Sequence, residues 1–237
     1  MIELDAAGVV VEVTDPDAPG RTHARTILAP VTATLTERRV AVIGANGSGK
    51  STLARLVNGL RTPTSGRVRT LGMDVAREGP AVRSRVGFVF TDPDAQLVMP
   101  TAGEDVALSL RRTVPDASQR AARVREVLAR FGLADHVEAP VHSLSGGQKQ
   151  LLALAGVLAT EPEILVADEP TTLLDLRWRR VVDELLADLD AQVLLVTHDL
   201  AAAERADRVL VVDRGAVVFD GAPRAAVARY VEAMARL

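Results

Sequence analysis

Short apolar runs alternate along this chain with stretches whose apolar residues recur at helical spacing, an order that predicts an α/β protein. Residues 8–14 and 31–43 read as strands. The polar segment Asp15 to Arg25 between them holds two prolines and a glycine, so the chain should open with an antiparallel sheet region. Within the second run, Arg39-Val40-Ala41-Val42-Ile43 is apolar enough for a buried strand, and Thr52 to Val57 carries an apolar helical face. Pro63-Thr64-Ser65-Gly66 turns the chain into a short strand, and Val86-Gly87-Phe88-Val89-Phe90 reads as another buried one. From about Asp92 to Ala139 the texture changes. Val106 and Leu110, then Val124, Val127, Leu128 and Phe131, fall at helical spacing with arginines between them, which predicts a helical insertion. Residues 164–167, 193–196 and 209–212 are β-rich runs separated by helical segments, as in parallel strands joined by crossover helices. Arg214-Gly215 joins the last strand pair, Val209 to Asp213 and Ala216 to Asp220, as a hairpin.

Composition narrows the class. A chain of 237 residues with 48% hydrophobic residues is sufficient for one large domain with a continuous core. A net charge of -3 gives no basic footprint, so nucleic acid is not expected as a partner. With no cysteine, disulfides, thiolate metal sites and a cysteine nucleophile are excluded. Glu3 and Asp5 stand where a signal peptide would carry positive charge. The longest apolar stretch, Leu151 to Ala159, is far shorter than the ~20 residues that cross a bilayer. Of the 28 basic residues only Lys50 and Lys149 are lysines, which makes the position of Lys50 telling.

Lys50 ends the string Gly44-Ala45-Asn46-Gly47-Ser48-Gly49-Lys50-Ser51-Thr52, placed between the buried strand and the helix. Strand, glycine-rich loop and helix in this order make a phosphate-binding loop. The glycines let the backbone wrap around phosphates, with successive N–H groups from Asn46 to Thr52 and the positive end of the helix aimed at the negative charge. Lys50 would reach the β- and γ-phosphates, and Ser51 would offer its hydroxyl to Mg²⁺. Downstream, Asp168 and Glu169 end an apolar strand. Neighbours on a strand face opposite ways, so the two acids should divide the work. Asp168 is the natural Mg²⁺ partner, and Glu169 the general base that polarises an attacking water. Acids also end strands as helix caps.

Leu144-Ser145-Gly146-Gly147-Gln148 precedes the apolar helix and prepares a second helix start for an anion: Ser145 with a hydroxyl, Gly146 and Gly147 with exposed amides. A serine cap followed by a glycine turn explains Ser145 but not the whole string. With this string the chain resembles the ATP-binding cassette (ABC) ATPases, whose signature it is, over nearly its entire length. The resemblance implies a phosphate-loop NTPase (RecA-like) α/β core, an antiparallel β subdomain and an α-helical insertion carrying the signature motif. All of it would form a single domain, residues 1–237, with the helical subdomain at about 92–150.

Further marks follow in order. Thr171-Thr172-Leu173-Leu174-Asp175 matches the loop that in these ATPases contacts the opposing subunit, and His198 in Thr197-His198-Asp199 matches their γ-phosphate sensor. His23, His136 and His142 have no such context. In the family, ATP is sandwiched between the phosphate loop of one subunit and the signature of another. One chain with one of each would therefore dimerise, with itself or with a similar ATPase, and ATP hydrolysis would release the pair and drive motion in an attached partner.

Two departures stand out. The family's strand-end glutamine, which touches Mg²⁺, is replaced by Thr91; Gln96 either loops back into that role or faces a membrane partner. No aromatic residue precedes Phe88 to stack on adenine, leaving His23, Arg21 or Arg25 as flat side chains. The Pro93-Asp94-Ala95-Gln96 element, followed by Thr101, Glu104, Asp105 and Val106, is similar to the ATPases of energy-coupling factor (ECF) transporters, which import vitamins and metal ions. Thr91 and the short chain make it most similar to the biotin-transporter ATPases. That resemblance implies a transmembrane scaffold and a substrate-binding membrane protein as partners, met by residues 92–112 at the cytoplasmic face of the membrane. The rival reading is a soluble ABC ATPase acting on DNA or ribosomes.

Overall fold

The computed structural model describes residues 1–14 and 20–235, so the first half of the Asp15 to Arg25 connection lies outside the described residues. Two compact units divide the chain. One consists of Met1–Val86 and Gln192–Leu237, the other of Gly87–Ala191.

The first unit opens with β1 (Ile2–Thr14) and β2 (Thr22–Leu35), then β3 (Arg39–Ile43), α1 (Lys50–Val57), β4 (Ser65–Thr70), β5 (Met73–Asp74) and α2 (Gly79–Arg83). The strand expected over 31–43 is thus two strands. Thr36, Glu37 and Arg38 break it, with the Glu37 carboxylate accepting the Thr36 N–H at 3.0 Å to make the turn. β1 begins six residues earlier than expected, because Ile2 and Leu4 are buried before an irregular pairing at Ala6, whose φ is 46°, interrupts the alternation. The antiparallel sheet has the order β2-β1-β4-β5. Thr70 donates its hydroxyl to the Val57 carbonyl at 2.6 Å, tying β4 to the end of α1.

The second unit holds β6 (Val86–Val89), α3 (Ala102–Leu110), α4 (Ala117–Arg130), α5 (Gly146–Leu158), β7 (Ile164–Asp168) and α6 (Leu176–Asp188). β7 is hydrogen-bonded to β6 and buried along its whole length. Each helix begins on a side-chain cap. Thr101 and Glu104 form a reciprocal capping box on α3, Asp116 caps α4 through Gln119 N–H, and Asp175 caps α6 through Trp178 N–H.

The chain then returns to the first unit with β8 (Gln192–Val196), α7 (Leu200–Glu204), β9 (Arg208–Asp213), β10 (Ala216–Gly221) and α8 (Pro223–Met234). β3 lies between β8 and β9, parallel to both, and β10 pairs antiparallel with β9 through the expected turn. Ala41, Ile43, Val209, Val211, Ala226 and Val227 pack together, so α8 covers one face of these strands. Arg208 ties β9 to its surroundings. Its guanidinium donates to both Asp220 oxygens at 2.6 and 2.7 Å, to Glu37 at 3.1 Å and to the Thr34 carbonyl at 2.8 Å. Asp220 first and Glu37 next hold Arg208 above its ordinary pKa against the opposing effect of burial. Burial pushes Glu37 up, but backbone N–H groups and Arg208 outweigh it, and its carboxyl lies below the ordinary range.

Candidate functional site

In the first unit the chemistry gathers at the C-terminal ends of neighbouring parallel strands, the usual place for a ligand in an open α/β sheet. The phosphate loop leaves β3 after Ile43 and enters α1 at Lys50. Gly44 admits no side chain, since a Cβ would lie 2.0 Å from the Val212 carbonyl oxygen. The loop is backed by the β9–β10 turn: Gly215 N–H donates to the Ser48 carbonyl at 2.8 Å, and the Gly215 carbonyl accepts from Ala29 N–H at 2.6 Å. Lys50, 6% exposed, donates to the Gly44 and Ala45 carbonyls at 2.7 and 2.9 Å, which holds its ammonium inside the loop. Ser48 Oγ is buried without a hydrogen-bond partner among the described residues, a hydroxyl suited to an incoming oxygen ligand. Asn46 and Gly47 are exposed on the loop, while Ser51 and Thr52 begin α1 half-buried.

His198 is exposed immediately after β8. Its position is set by Thr197, which is buried and donates its N–H to the Val42 carbonyl at 3.1 Å, and by Asp199, which accepts the Ala201 and Ala202 N–H groups to cap α7. The structure therefore places the phosphate loop and His198 at the ends of adjacent strands. His23 and Arg25 are exposed on β2, and further along the strand the Ile27 carbonyl abuts the loop at Gly49.

In the second unit Asp168 is buried at the end of β7. Glu169 does not continue the strand. It adopts φ 54°, a left-handed backbone that costs about 1–3 kcal/mol in a residue other than glycine. Strand alternation, from which the division between the two acids was expected, therefore does not extend to Glu169. Thr172 donates its N–H to the Glu169 carbonyl and its hydroxyl to Glu169 Oε2, each at 3.4 Å. Thr91 donates its hydroxyl to the Asp168 carbonyl at 3.0 Å.

Gln96, expected at the metal, is engaged within its own unit. Its carbonyl oxygen, the atom a metal would need, accepts Phe90 N–H at 3.2 Å, and its amide nitrogen donates to the Ala153 carbonyl at 3.1 Å. Both ends of the side chain are taken up in fastening the turn after β6 to α5. Asp94 reinforces the fastening through an ion pair with Lys149 at 2.7 Å.

The signature string starts α5. Ser145 is the cap, accepting Gln148 N–H on Oγ at 3.3 Å, and the Gln148 carbonyl oxygen accepts Ser145 N–H at 2.9 Å. The amides of Gly146 and Gly147 carry no hydrogen bond among the described residues, so two donors at the helix start point outward. Leu173 packs beside these glycines, 48% exposed, and Leu176 further on is 82% exposed. Asp175, expected at an interface between subunits, also serves its own chain as the α6 cap. His136, which no sequence motif singled out, contacts Gln148 Nε2 through its Nε2 at 3.0 Å.

A phosphate loop behind a parallel strand, together with a helix start carrying two unmatched amides, defines a nucleotide-binding cassette of the phosphate-loop class. The ABC transporter family model matches residues 30–172. The biotin transport ATP-binding protein BioM of Rhizobium etli is 44% identical over 209 residues, covering 88% of this chain and 93% of that protein. The energy-coupling factor transporter ATP-binding protein EcfA1 of Halalkalibacterium halodurans is 43% identical over 189 residues, 78% of this chain and 68% of its own. Among solved structures, a dimeric ATP-binding cassette in a post-hydrolysis state with ADP and Pi superposes with a TM-score of 0.84 at 28% identity, covering 94% of this chain and 99% of that one. The chain belongs to the ABC transporter family of ATP-binding proteins and is an ABC-type ATPase.

Proposed function

We propose that this chain is the ATP-hydrolysing subunit of an ECF-type importer, dimerising on ATP at the cytoplasmic face of the membrane and serving a small vitamin or a metal ion, with biotin the first candidate. The observation that carries the dimer is the pair of outward amides at Gly146 and Gly147, an anion site with no ligand from its own helix. The phosphate loop belongs to the other compact unit, and a chain has one of each. Two copies, or one copy and a similar ATPase, give each nucleotide both halves.

Within that site the loop amides from Asn46 to Thr52 surround the β- and γ-phosphates, and Lys50 exchanges its loop carbonyls for phosphate oxygens. Ser51 and Asp168 offer a hydroxyl and a carboxylate, the hard oxygen donors that suit Mg²⁺, an ion normally held by one or two protein groups plus phosphates. Held by these groups, Mg²⁺ would supply charge neutralisation at the phosphate oxygens. Glu169 accepts a proton from the attacking water, and His198 donates to the γ-phosphate. Ser145, Gly146, Gly147 and Gln148 supply the closing half from the partner subunit. Arg25 or His23 provides the flat surface for adenine.

Coupling to transport follows from the fastening around Gln96. Residues 92–96 are tied to α5 by Gln96 and Lys149, so a push on this element reaches the signature directly. Val98 and Leu108, 71% and 43% exposed, provide apolar surface beside it for a membrane partner. No helix among the described residues is long and apolar enough to cross a membrane, and the transmembrane scaffold and substrate-binding protein would be separate chains.

The test is affinity purification from native membranes, with copurifying proteins identified and bound biotin assayed. A transmembrane scaffold with a small substrate-binding membrane protein is the expected result. Only soluble partners, ribosomes or DNA would overturn the transport reading.

A further inference from the structure

We propose that His136 is a positioning residue for ATP hydrolysis, acting through Gln148 to hold the signature in its working geometry. The polarities of three linked hydrogen-bonding groups fix the arrangement. Ser145 N–H can only donate, so the group of Gln148 that meets it at 2.9 Å is the carbonyl oxygen. The Gln148 amide nitrogen then faces His136 Nε2 at 3.0 Å, and it too can only donate. His136 Nε2 must therefore carry the lone pair, and the ring proton of the neutral imidazole resides on Nδ1. Nδ1 is buried with no partner among the described residues. A residue that merely filled space would not bury an unmatched donor here.

The ring sits on a firm base. His136 N–H donates to the Leu133 carbonyl at 3.0 Å, and its own carbonyl accepts Ala139 N–H at 2.9 Å. The next turn is clamped to the start of α3, where Gly103 and Ala102 donate their N–H groups to the Val137 and Ala139 carbonyls at 2.8 and 3.1 Å. His136 thus presents a fixed acceptor to a flexible glutamine side chain. With that acceptor in place, the Gln148 amide has one useful orientation, and its oxygen closes the capping box on Ser145. Without it, the amide is free to turn, Ser145 N–H loses its partner, and the first turn of α5 frays with the two glycine amides on it. Residues 134–136 are linked in this way to the group that closes on ATP, which rests on the composite-site reading above.

The experiment uses the full chain, with steady-state ATPase kinetics for His136→Leu, His136→Gln and Ser145→Arg, ATP affinity of each isolated chain, and the ring tautomer from long-range ¹H–¹⁵N spectra. His136→Leu should lower kcat about tenfold, the scale of one lost capping contact, while KM and ATP affinity change less than about twofold. His136→Gln, whose amide oxygen can accept at similar reach, should recover most of the lost turnover. The parent spectrum should show an unprotonated Nε2. Parental turnover in His136→Leu, equal damage in the leucine and glutamine variants, or a proton on Nε2 would each overturn the proposal. Ser145→Arg separates the two layers. Parental turnover in that variant defeats the composite site itself, whereas its loss beside an unimpaired His136→Leu defeats only the role of His136.

Discussion

Gly215 lies far from the phosphate loop in sequence, yet replacing it should weaken ATP binding. The residue has φ 80°, and a Cβ there would sit 2.9 Å from the Ile27 carbonyl oxygen, closer than side-chain carbons come to such atoms. Alanine costs about 1–2 kcal/mol for the left-handed backbone. Relieving the contact with Ile27 adds roughly 1–3 kcal/mol, the usual scale of overpacking. The sum of about 2–5 kcal/mol corresponds to a melting temperature lower by roughly 4–20 °C in a chain of this length. Moving the turn away from β2 relieves the contact, and the turn holds the loop through Gly215 N–H to the Ser48 carbonyl. Losing a well-formed hydrogen bond of about 1 kcal/mol that shapes the loop should weaken ATP binding by about 5–10-fold. Thermal unfolding and equilibrium ATP titration on Gly215→Ala and Gly215→Asn measure both effects. Asparagine tolerates the left-handed backbone but keeps the Cβ, so it separates the conformational cost from the contact. A melting temperature that falls with ATP affinity unchanged would show that the turn supports only its own hairpin, and the reasoning would be wrong.

Glu169→Gln should bind ATP and hydrolyse it at least about 100-fold more slowly, accumulating an ATP-bound dimer on size-exclusion chromatography; near-parental turnover would remove the general-base role. Gln96→Ala should lower stability by about 1–3 kcal/mol through two lost backbone contacts while leaving ATP affinity and the Mg²⁺ dependence of hydrolysis unchanged. A shifted Mg²⁺ dependence without loss of stability would return Gln96 to the metal. Because the Glu37 carboxyl is held below its ordinary range, its stabilising contribution is complete above that range and is lost as pH falls through the lowered value. Denaturant unfolding between about pH 6 and pH 3 should show this acid limb, flattened in Arg208→Met. An unchanged limb in that variant would mean that Arg208 is not the partner that matters.

The motifs were the most legible part of the chain, because glycine, serine and lysine at fixed spacing stand for backbone conformations that few other strings satisfy. Strand limits were less legible for a definite reason. Val31, Ala33 and Leu35 alternate as a half-buried strand does, whereas residues 40–43 are continuously buried, and the change of pattern at Thr36-Glu37-Arg38 marks two environments within one β-rich run. Residues 2–7 escaped because the left-handed Ala6 upsets their alternation. The ties that shape the site were invisible: Gly215 to Ser48, Gln96 to Phe90 and Ala153, His136 to Gln148. Each joins residues brought together by the fold, and none has a spacing that could be read in advance. The charge of Arg208 gave no hint that Glu37 and Asp220 would both meet it.

The signature string gains a physical explanation from what its cap leaves undone. A helix start exposes several amides without acceptors. On α5, Ser145 Oγ takes the amide of Gln148, the Gln148 side chain takes the amide of Ser145, and the Ser145 carbonyl accepts Lys149 N–H as the helix begins. Among the described residues Gly146 and Gly147 remain, side by side and without Cβ atoms to shield them. A better-satisfied start would have no affinity for an anion, and a wholly uncapped one would fray. Serine and glutamine spaced as a capping box therefore rigidify the turn, while the two glycines keep its positive end available. The same division holds at the phosphate loop, where Gly215 and the Lys50 contacts hold the backbone and Ser48 Oγ stays unmatched. Both halves of the proposed site are thus stiff around a small number of unmet donors, the arrangement in which binding a polyanion requires little further ordering.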